Sequence, residues 1–549
     1  MKSLSIALCQ INPTLGDLEG NSKKILGMYR NAAEKYRPDL AVFPECALTG
    51  YPTEDLVLKR SFLKECERTL GKLAREVRGP AAVIGTALPS GRAAGNAAVL
   101  VRDGRVAAIY AKHILPNTGV FDEKRTFLPG RESGLVRVGG IRIGLSVCED
   151  LWEEDPRLNP ALLQARMGAE VLINISASPF YAGRLNDRRS LLRRRARQAR
   201  AAIVYVNLVG GQDELVFDGR SLAADSSGRV RLTAPSFQEG LACAVFEKSG
   251  RAKLSLARAL GSAPVPEGDE EIYRALVLGT RDYAEKNRFS KALVGLSGGI
   301  DSALTAAIAA DALGPDRVIG VTMPSRFSSS GTRSDARTVA ANLGIELSEI
   351  PIQGVFEKFL ETLCASFRGK PPGVAEENLQ SRIRGMILMA LSNKFGHLVL
   401  TTGNKSEVST GYCTLYGDTA GGFGVLKDVP KTLVYRLAGF LNRSKGRAVI
   451  PDSVIRRPPS AELREGQKDQ DTLPPYDVLD GIIRGYVELD SSRAALLRTG
   501  FGRENIDRVL RMIDASEYKR RQSPPGIKIT PRAFGRDRRM PITNRFREP

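Results

Sequence analysis

The sequence predicts an α/β protein built as two domains, and three observations carry that prediction. A chain of 549 residues is longer than one hydrophobic core organises. Short apolar runs rich in Val, Ile and Leu alternate along it with segments of helical periodicity, the pattern of strands buried on both faces. A Pro- and acid-rich stretch, residues 263–271, interrupts this alternation near the middle. The expected domains are therefore residues 1–255 and 273–549, joined by a linker at 256–272.

In the first domain, apolar runs at 3–11, 39–44, 81–88, 96–102, 105–111, 141–147, 170–176 and 201–209 predict strands. Segments 21–36, 61–77, 160–168 and 185–199 carry apolar residues at helical spacing and predict the helices between them. In the second domain, 292–296, 318–323 and 397–401 predict buried strands, while 302–313 and 376–393 predict helices. Beyond about residue 516 the chain is basic and rich in Pro and Gly, which predicts a loop or basic arm.

Composition narrows the function. Hydrophobic residues at 42% and charged residues at 26% are those of a globular protein, and no apolar run is long enough to cross a bilayer. The start, Met1 to Pro13, is too interrupted for a secretory leader. Seven cysteines stand singly without a CxxC pair, so reduced thiols in the cytoplasm are expected. With only two histidines, His113 and His397, a His-rich metal site and a Ser-His-Asp triad have little to draw on. The net charge of +20 admits either nucleic acid or a polyanionic small molecule such as a nucleotide. The densest cluster, Arg188, Arg189, Arg193, Arg194, Arg195, Arg197 and Arg200, falls on a predicted helix and reads as its solvated face. No basic stretch is interleaved with aromatics, so neither a nucleic-acid nor a membrane partner is expected.

The second half holds a predicted strand that runs into Gly295-Leu296-Ser297-Gly298-Gly299-Ile300-Asp301-Ser302 and then into a helix. A Gly-rich turn frees backbone N–H groups to converge, and the helix start adds positive potential, so phosphates bind there. The loop lacks the lysine of ordinary P-loops. It resembles instead the PP-loop of enzymes that split ATP into an adenylyl group and pyrophosphate. Residues 323–329, 375–385, 400–412, 414–418 and 425–435 follow in order, and together they resemble the synthetase domain of NAD synthetases over roughly 273–545. The resemblance implies a doubly wound parallel sheet that binds ATP and deamido-NAD+. It implies that Gly295 to Ser302 cradle the triphosphate with Thr402, and that Asp301 and Glu407 hold Mg2+. It further assigns Asn378, Arg384, Glu407, Asp418, Lys427 and Lys519 to deamido-NAD+ or the phosphates.

The first half carries three short words: Phe43-Pro44-Glu45-Cys46, Tyr110-Ala111-Lys112-His113 and Gly144-Leu145-Ser146-Val147-Cys148-Glu149-Asp150. Each sets a reactive side chain at or just past a predicted strand end. A thiol attacks only as thiolate, so it needs a base and a positive field beside it; a carboxylate and a lysine supply both. The words resemble the nitrilase superfamily, which implies an α-β-β-α sandwich with Cys148 as nucleophile, Glu45 as general base and Lys112 as the cation at the oxyanion. Cys46 belongs to the acid's word, and His113 points to the opposite strand face and is read as structural.

Residues 174–180 and 205–219 resemble the glutaminase domain of glutamine-dependent NAD synthetases, which places glutamine against Ser178. Thr118 and Arg184 stand where that family usually has Tyr and Lys to hold glutamine, departures that bear on its affinity. Together the two resemblances imply an ATP-dependent ligase that takes ammonia from glutamine, passes it through a buried tunnel and assembles as a homo-oligomer, often an octamer. Another PP-loop amidotransferase with a different acceptor is the nearest alternative; a nucleic-acid-binding protein is the alternative of another class.

Overall fold

Alternate residues of the first strand serve two different cores, which is why its sequence reads as an unbroken apolar run. In the computed structural model, which describes residues 2–248 and 254–548, Leu4, Ile6 and Leu8 of β1 (Lys2–Gln10) enter one buried cluster while Ala7 and Cys9 enter another. Successive strand side chains point to opposite faces, so a sheet covered on both sides needs no polar positions. Residues 249–253, inside the expected first domain, lie outside the described residues.

The chain divides into two compact units, Met1–Glu267 and Gly268–Pro549. The first continues with β2 (Leu40–Val42), β3 (Ala81–Ser90), β4 (Ala93–Arg102), β5 (Arg105–Ala111), β6 (Leu135–Val138), β7 (Ile141–Val147), β8 (Val171–Ser176) and β9 (Ala202–Asn207). There follow β10 (Val209–Gln212), β11 (Leu215–Asp218), β12 (Leu222–Ala224), β13 (Val230–Thr233), β14 (Gly240–Lys248) and β15 (Ser255–Leu260). One sheet runs β15-β14-β1-β2-β3-β4-β5 and another β13-β12-β9-β8-β7-β6.

The two sheets face one another. One buried cluster takes Leu4, Ile6 and Leu8 from the first and Ile143, Leu145, Val147, Ile173 and Val204 from the second. Helices α1 (Leu18–Tyr36) and α2 (Arg60–Glu76) cover the outside of the first sheet through Ile25, Tyr29, Leu70 and Leu73. After the short α3 (Glu149–Trp152), helices α4 (Pro160–Arg166) and α5 (Arg184–Ala199) cover the second through Ala161, Leu185, Leu191 and Leu192. This is the expected α-β-β-α sandwich. Each fully buried Val, Leu or Ile contributes ~1.5–3 kcal/mol, so register errors that turn β1 or β7 over are strongly disfavoured.

The second unit opens with α6 (Asp269–Lys286) and builds a wholly parallel sheet from β16 (Ala292–Gly295), β17 (Val318–Thr322), β18 (Glu346–Glu349), β19 (Leu398–Thr401) and β20 (Phe423–Gly424). Helices α7 (Ile300–Leu313), α8 (Ser330–Leu343), α9 (Gln353–Phe367) and α10 (Val374–Phe395) connect the first four strands. α11 (Lys405–Thr410) follows β19, and α12 (Lys431–Lys445) follows β20. The strand order β18-β17-β16-β19-β20 reverses between β16 and β19. The loops leaving those neighbours therefore part at their carboxyl ends, where such sheets take ligands.

Three expectations change. The stretch 256–272 is structured at both ends: Ser255–Leu260 completes the first sheet and Asp269 begins α6. Beyond 516 the chain is no free arm. It has little regular structure, as expected, yet Ile527, Lys528, Ile529 and Thr530 are buried, because Asp428 accepts from Ile529 N and Thr530 N, each at 2.8 Å. Finally, the arginine helix is not wholly a solvated face. Arg188 and Arg195 are fully buried, while Arg193, Arg194, Arg197 and Arg200 are exposed. Positions 188, 192 and 195 share the stripe that α5 turns to the sheet. Strands such as β10 and β18 escaped the sequence because Val209-Gly210-Gly211-Gln212 and Glu346-Leu347-Ser348-Glu349 lack both an apolar run and clean alternation. Among the described residues, no helix is long and apolar enough to cross a membrane.

Candidate active sites

In the first unit the strand ends deliver Glu45 after β2, Lys112 after β5, Cys148 after β7 and Ser178 after β8. Glu45 is wholly buried. Its Oε1 accepts from Lys112 Nζ at 3.0 Å and Asn96 Nδ2 at 2.7 Å; its Oε2 accepts from Ala177 N at 2.7 Å. Lys112 Nζ also lies 2.9 Å from each carboxylate oxygen of Glu123, and Tyr51 OH donates to Glu123 Oε1 at 2.8 Å. Burial works against the Lys112 charge, but Glu123 and Glu45 outweigh it and hold the ammonium well above its ordinary range. Burial pushes the Glu123 carboxyl up to about 7 against the pull of Lys112, and Glu45 adds to the rise.

Cys148 ends β7 in a turn with φ 41° and ψ −98°, a backbone region that a non-glycine residue holds only where its surroundings impose it. Its N–H donates to Ile175 O at 2.8 Å, and its carbonyl accepts from Asn174 Nδ2 at 3.4 Å. Burial and then the Glu45 charge push the thiol well above its usual range, with Lys112 opposing. A thiol held so can act as a nucleophile only where a base takes its proton.

Ser178 is held by two neighbours. Its N–H donates to Asn207 Oδ1 at 2.9 Å, while Arg188 Nη2 donates to its carbonyl at 2.8 Å and Arg188 Nε to its Oγ at 3.3 Å. Arg184 lays its guanidinium over the Trp152 ring at 4.1 Å and the Tyr181 ring at 5.2 Å. Thr118 is exposed in the loop after β5, its carbonyl closing a turn with Phe121 N at 3.1 Å. His113 stacks on Tyr110 with ring centroids 4.9 Å apart, in keeping with a structural role. Cys46 is packed in an apolar cluster with Tyr51, Leu208 and Phe217. Glu123, Asn96 and Arg188 were not singled out for this site, since no motif word contains Glu123 or Asn96 and Arg188 was hidden among six other arginines.

In the second unit a cavity of about 320 Å³ opens at the β16–β19 crevice. Gly295, Leu296, Ser297, Gly299, Ile300, Asp301, Ser302 and Thr402, all expected at the nucleotide, line it. The turn is braced internally: Ser302 Oγ donates to Gly299 O at 2.9 Å, and Gly299 N donates to Ser297 Oγ at 3.2 Å. Gly298 packs outward at φ 83°, where a Cβ would stand 2.1 Å from Thr332 O. Only glycine fits there.

Arg384, Glu407, Asp418 and Lys427 also line the cavity. Burial lowers Arg384 to about 10, with Glu462 opposing, and its Nε donates to Met323 O at 3.0 Å. Burial raises the Asp418 carboxyl to about 6. The structure does not bring Asn378 or Lys519 to the wall. Asn378 Oδ1 accepts from Thr414 Oγ1 at 2.6 Å, and Lys519 Nζ donates to Gly411 O at 2.7 Å and Cys413 O at 2.9 Å. Both brace the 411–418 turn that carries Asp418, whose Oδ1 accepts from Thr414 N at 2.7 Å.

At the cavity floor Lys431 pairs with Asp301 and lies 3.6 Å from Glu407 Oε1. Asn404 Nδ2 donates to Asp301 Oδ1 at 3.0 Å, and Asn404 Oδ1 accepts from Glu407 N at 3.0 Å. Burial and the Asp301 charge push the Glu407 carboxyl up to about 8. A carboxyl so costly to ionise beside a second carboxylate is suited to a hard cation; Mg2+ takes one or two carboxylates and completes its shell with phosphate and water. Among the described residues no group of three or more His, Cys, Asp or Glu is spaced to hold a metal alone. Lys431 was within the 425–435 motif, but nothing in its spacing showed that it, not Lys427, meets the two acids.

Known proteins match both units. A carbon–nitrogen hydrolase family model matches residues 5–250, and an NAD synthase family model matches residues 272–523. The glutamine-dependent NAD(+) synthetase of Thermotoga maritima is 47% identical over the whole of both chains. That of Xanthomonas campestris is 44% identical over 99% of this chain and 98% of its own. A solved glutamine-dependent NAD+ synthetase from Acinetobacter baumannii, in complex with ADP, is 41% identical with a TM-score of 0.79 over 99% of each chain. With Cys148, Glu45 and Lys112 buried at strand ends of one unit, a Gly-rich turn lining the cavity of the other, and end-to-end similarity to these proteins, the chain belongs to the family of glutamine-dependent NAD(+) synthetases.

Proposed function

We propose that the chain makes NAD+, AMP, pyrophosphate and glutamate from deamido-NAD+, ATP and glutamine, with Cys148, Glu45 and Lys112 releasing the ammonia. The observation that carries this reading is the convergence on one buried point of a thiol, a carboxylate that accepts from Lys112 at 3.0 Å, and that lysine. Glu45 takes the Cys148 proton as sulfur attacks the glutamine amide carbon, and Lys112 offsets negative charge on the carbonyl oxygen. The proton then passes from Glu45 to the departing nitrogen, leaving a thioester and ammonia. A water deprotonated by Glu45 hydrolyses the thioester to glutamate and returns the thiol. Ser178, Thr118 and Arg184 are placed at the glutamine in this reading; the Arg184 guanidinium, stacked on Trp152, suits a carboxylate.

In the second unit the 295–302 turn seats the ATP phosphates, and the deamido-NAD+ carboxylate displaces pyrophosphate from the α-phosphorus. Ammonia then attacks the acyl adenylate carbon and expels AMP. Arg384, Asp418 and Lys427 contact the dinucleotide or phosphates directly, Asn378 and Lys519 through the turn they brace. Mg2+, when bound, neutralises phosphate charge; Asp301 and Glu407 would hold it, and Lys431 pairs with Asp301 in this structure. That the Acinetobacter baumannii relative was solved in complex with ADP supports an adenine nucleotide as a ligand in this reading. A cytoplasmic homo-oligomer completes the reading, and its seven thiols are all unpaired among the described residues.

The test compares wild type with Cys148→Ala in deamido-NAD+, ATP and Mg2+, with glutamine or ammonium as nitrogen source. Loss of glutamine-driven synthesis with ammonium-driven synthesis intact is the expected result. A wild-type protein that forms no NAD+ from either source overturns the acceptor, and an active Cys148→Ala with glutamine overturns the nucleophile. Light scattering of the same sample reads the assembly.

A further inference from the structure

One buried carboxylate beside the nucleophile has no part in the chemistry above, yet four donors converge on it. Asp150 is wholly buried. Its Oδ2 accepts from Val147 N at 2.9 Å and Tyr110 OH at 2.8 Å; its Oδ1 accepts from His113 N at 3.0 Å and Ile114 N at 2.9 Å. Val147 immediately precedes Cys148, and His113 and Ile114 immediately follow Lys112. β5 and β7, whose ends carry Lys112 and Cys148, belong to different sheets. One side chain therefore ties the turn of the nucleophile to the strand end of the lysine across the gap between sheets.

We propose that Asp150 is a positioning residue of the amide-hydrolysing site, a clasp that fixes the Cys148 sulfur against the Lys112–Glu45 pair. The inference rests on the reading of those three residues as the catalytic group. Each end needs such a tie. On the cysteine side, the positive φ of Cys148 persists only where the surroundings over-determine it. The bonds Val147 N to Asp150 Oδ2 and Leu151 N to Cys148 O, the latter 3.1 Å, close that turn from both flanks. On the lysine side, Lys112 N donates to Asn96 O of β4 at 2.7 Å and Gly130 N donates to Lys112 O at 2.8 Å, which fix its backbone to the first sheet and to the loop at 130 but not to Cys148. Asp150 supplies the missing link.

The chemistry of the side chain is specific. An ionised carboxylate offers about four lone-pair sites and no donor, and here four donors meet it. An amide of the same shape turns an NH2 toward two of those donors, so Asp150→Asn breaks one end of the clasp without emptying the space.

The experiment is steady-state kinetics on the full chain with glutamine and with ammonium, together with the rate at which iodoacetamide alkylates Cys148. Asp150→Asn is expected to lower glutamine-driven kcat about 100-fold, the cost of misplacing a reacting group by about 1 Å, with KM changed by less than about threefold. Alkylation of Cys148 slows, and ammonium-driven synthesis is kept. Tyr110→Phe, which removes one of the four donors and leaves the three backbone bonds, keeps kcat within about threefold of wild type. Wild-type kcat in Asp150→Asn, an equal loss in Tyr110→Phe, or a rise in KM alone each overturns the clasp. Should Asp150→Asn lose ammonium-driven synthesis as well, Asp150→Glu, which keeps the ionised acceptor, is read in its place with the same split expected of kcat and KM. Cys148→Ala runs alongside: if it stays active with glutamine, the catalytic reading fails; if it is dead while Asp150→Asn is fully active, only the clasp fails.

Discussion

Arg188 Nη1 lies 2.7 Å from Asp218 Oδ1, and neither side chain reaches solvent. The same guanidinium holds the carbonyl and the hydroxyl of Ser178, so a buried ion pair sits directly behind the proposed glutamine contact. A charge pair so placed is tolerated only because its remaining donors are satisfied, and removing one partner strands the other.

Arg188→Met is therefore expected to cost the first unit about 3 kcal/mol, the lower end for breaking a buried pair, because Arg220 remains 3.5 Å from Asp218 Oδ2. Trp152 is the chain's only tryptophan and lies in that unit, so its fluorescence in a urea titration reports the loss. The variant should also raise KM for glutamine, since Ser178 loses its anchor. A shift in the unfolding midpoint with no change in KM would separate stability from substrate binding and sink the second half of the prediction.

Glu123 gives the first unit a pH dependence of defined sign. Its carboxyl stands at about 7 in the fold against an ordinary 4.5, raised first by burial. Between those values the folded chain binds more protons at this site than the unfolded chain. Its contribution to stability therefore falls as pH rises through the window and levels off above it. Glu123→Gln should flatten that slope, with the variant gaining on wild type from about pH 5 to about pH 7. Urea midpoints followed by Trp152 across this range decide the matter; parallel curves for the two proteins contradict it.

The glycine at 298 is required by geometry. Its φ of 83° disfavours any side chain, and a Cβ would stand 2.1 Å from the Thr332 carbonyl oxygen. Gly298→Ala must move the turn that lines the cavity, so ammonium-driven synthesis should fall about 100-fold. Alkylation of Cys148 in the other unit should proceed at the wild-type rate. A variant with normal synthesis would show that the turn can shift away from Thr332 without harm.

The segment after Ser523 is tied to the second unit through Asp428. Asp428 accepts from Ile529 N, Thr530 N and Thr530 Oγ1, and its Oδ1 lies 2.9 Å from Lys405 Nζ. Lys427 Nζ donates to Pro524 O at 2.7 Å, and Ser523 and Pro524 line the cavity proposed to hold ATP. Asp428→Ala should release this segment, so trypsin cleaves its arginines faster and KM for ATP rises about tenfold, near 1.4 kcal/mol of lost binding. Tryptic fragments on a gel and initial rates against ATP measure both. Wild-type resistance to trypsin would mean that other contacts hold the segment.

How much of this was legible beforehand follows from the range of each interaction. β7 was readable to the residue because both its faces are buried and its apolar run has sharp ends, and β5, though largely exposed, because the Asp103-Gly104 turn and Lys112 bound its apolar run. The words holding Glu45, Lys112 and Cys148, and the turn at 295–302, were readable because strand-end chemistry is local in sequence. Asp150 was in view as part of a word, but its partners, Tyr110, His113 and Ile114, are more than thirty residues away.

The sequence by itself determined the two α/β halves, the strand ends that carry Glu45, Lys112 and Cys148, and the Gly-rich turn at 295–302, since each is written in a few consecutive residues whose local structure does not depend on distant neighbours. Only the tertiary structure decided which charges are buried. It drew Arg188 out of a row of similar arginines, set Glu123 against Lys112, chose Lys431 to meet Asp301, and packed residues 527–530 against Asp428. A charge pays a large desolvation cost unless a partner from elsewhere in the chain meets it, and that partner exists only once the chain has folded.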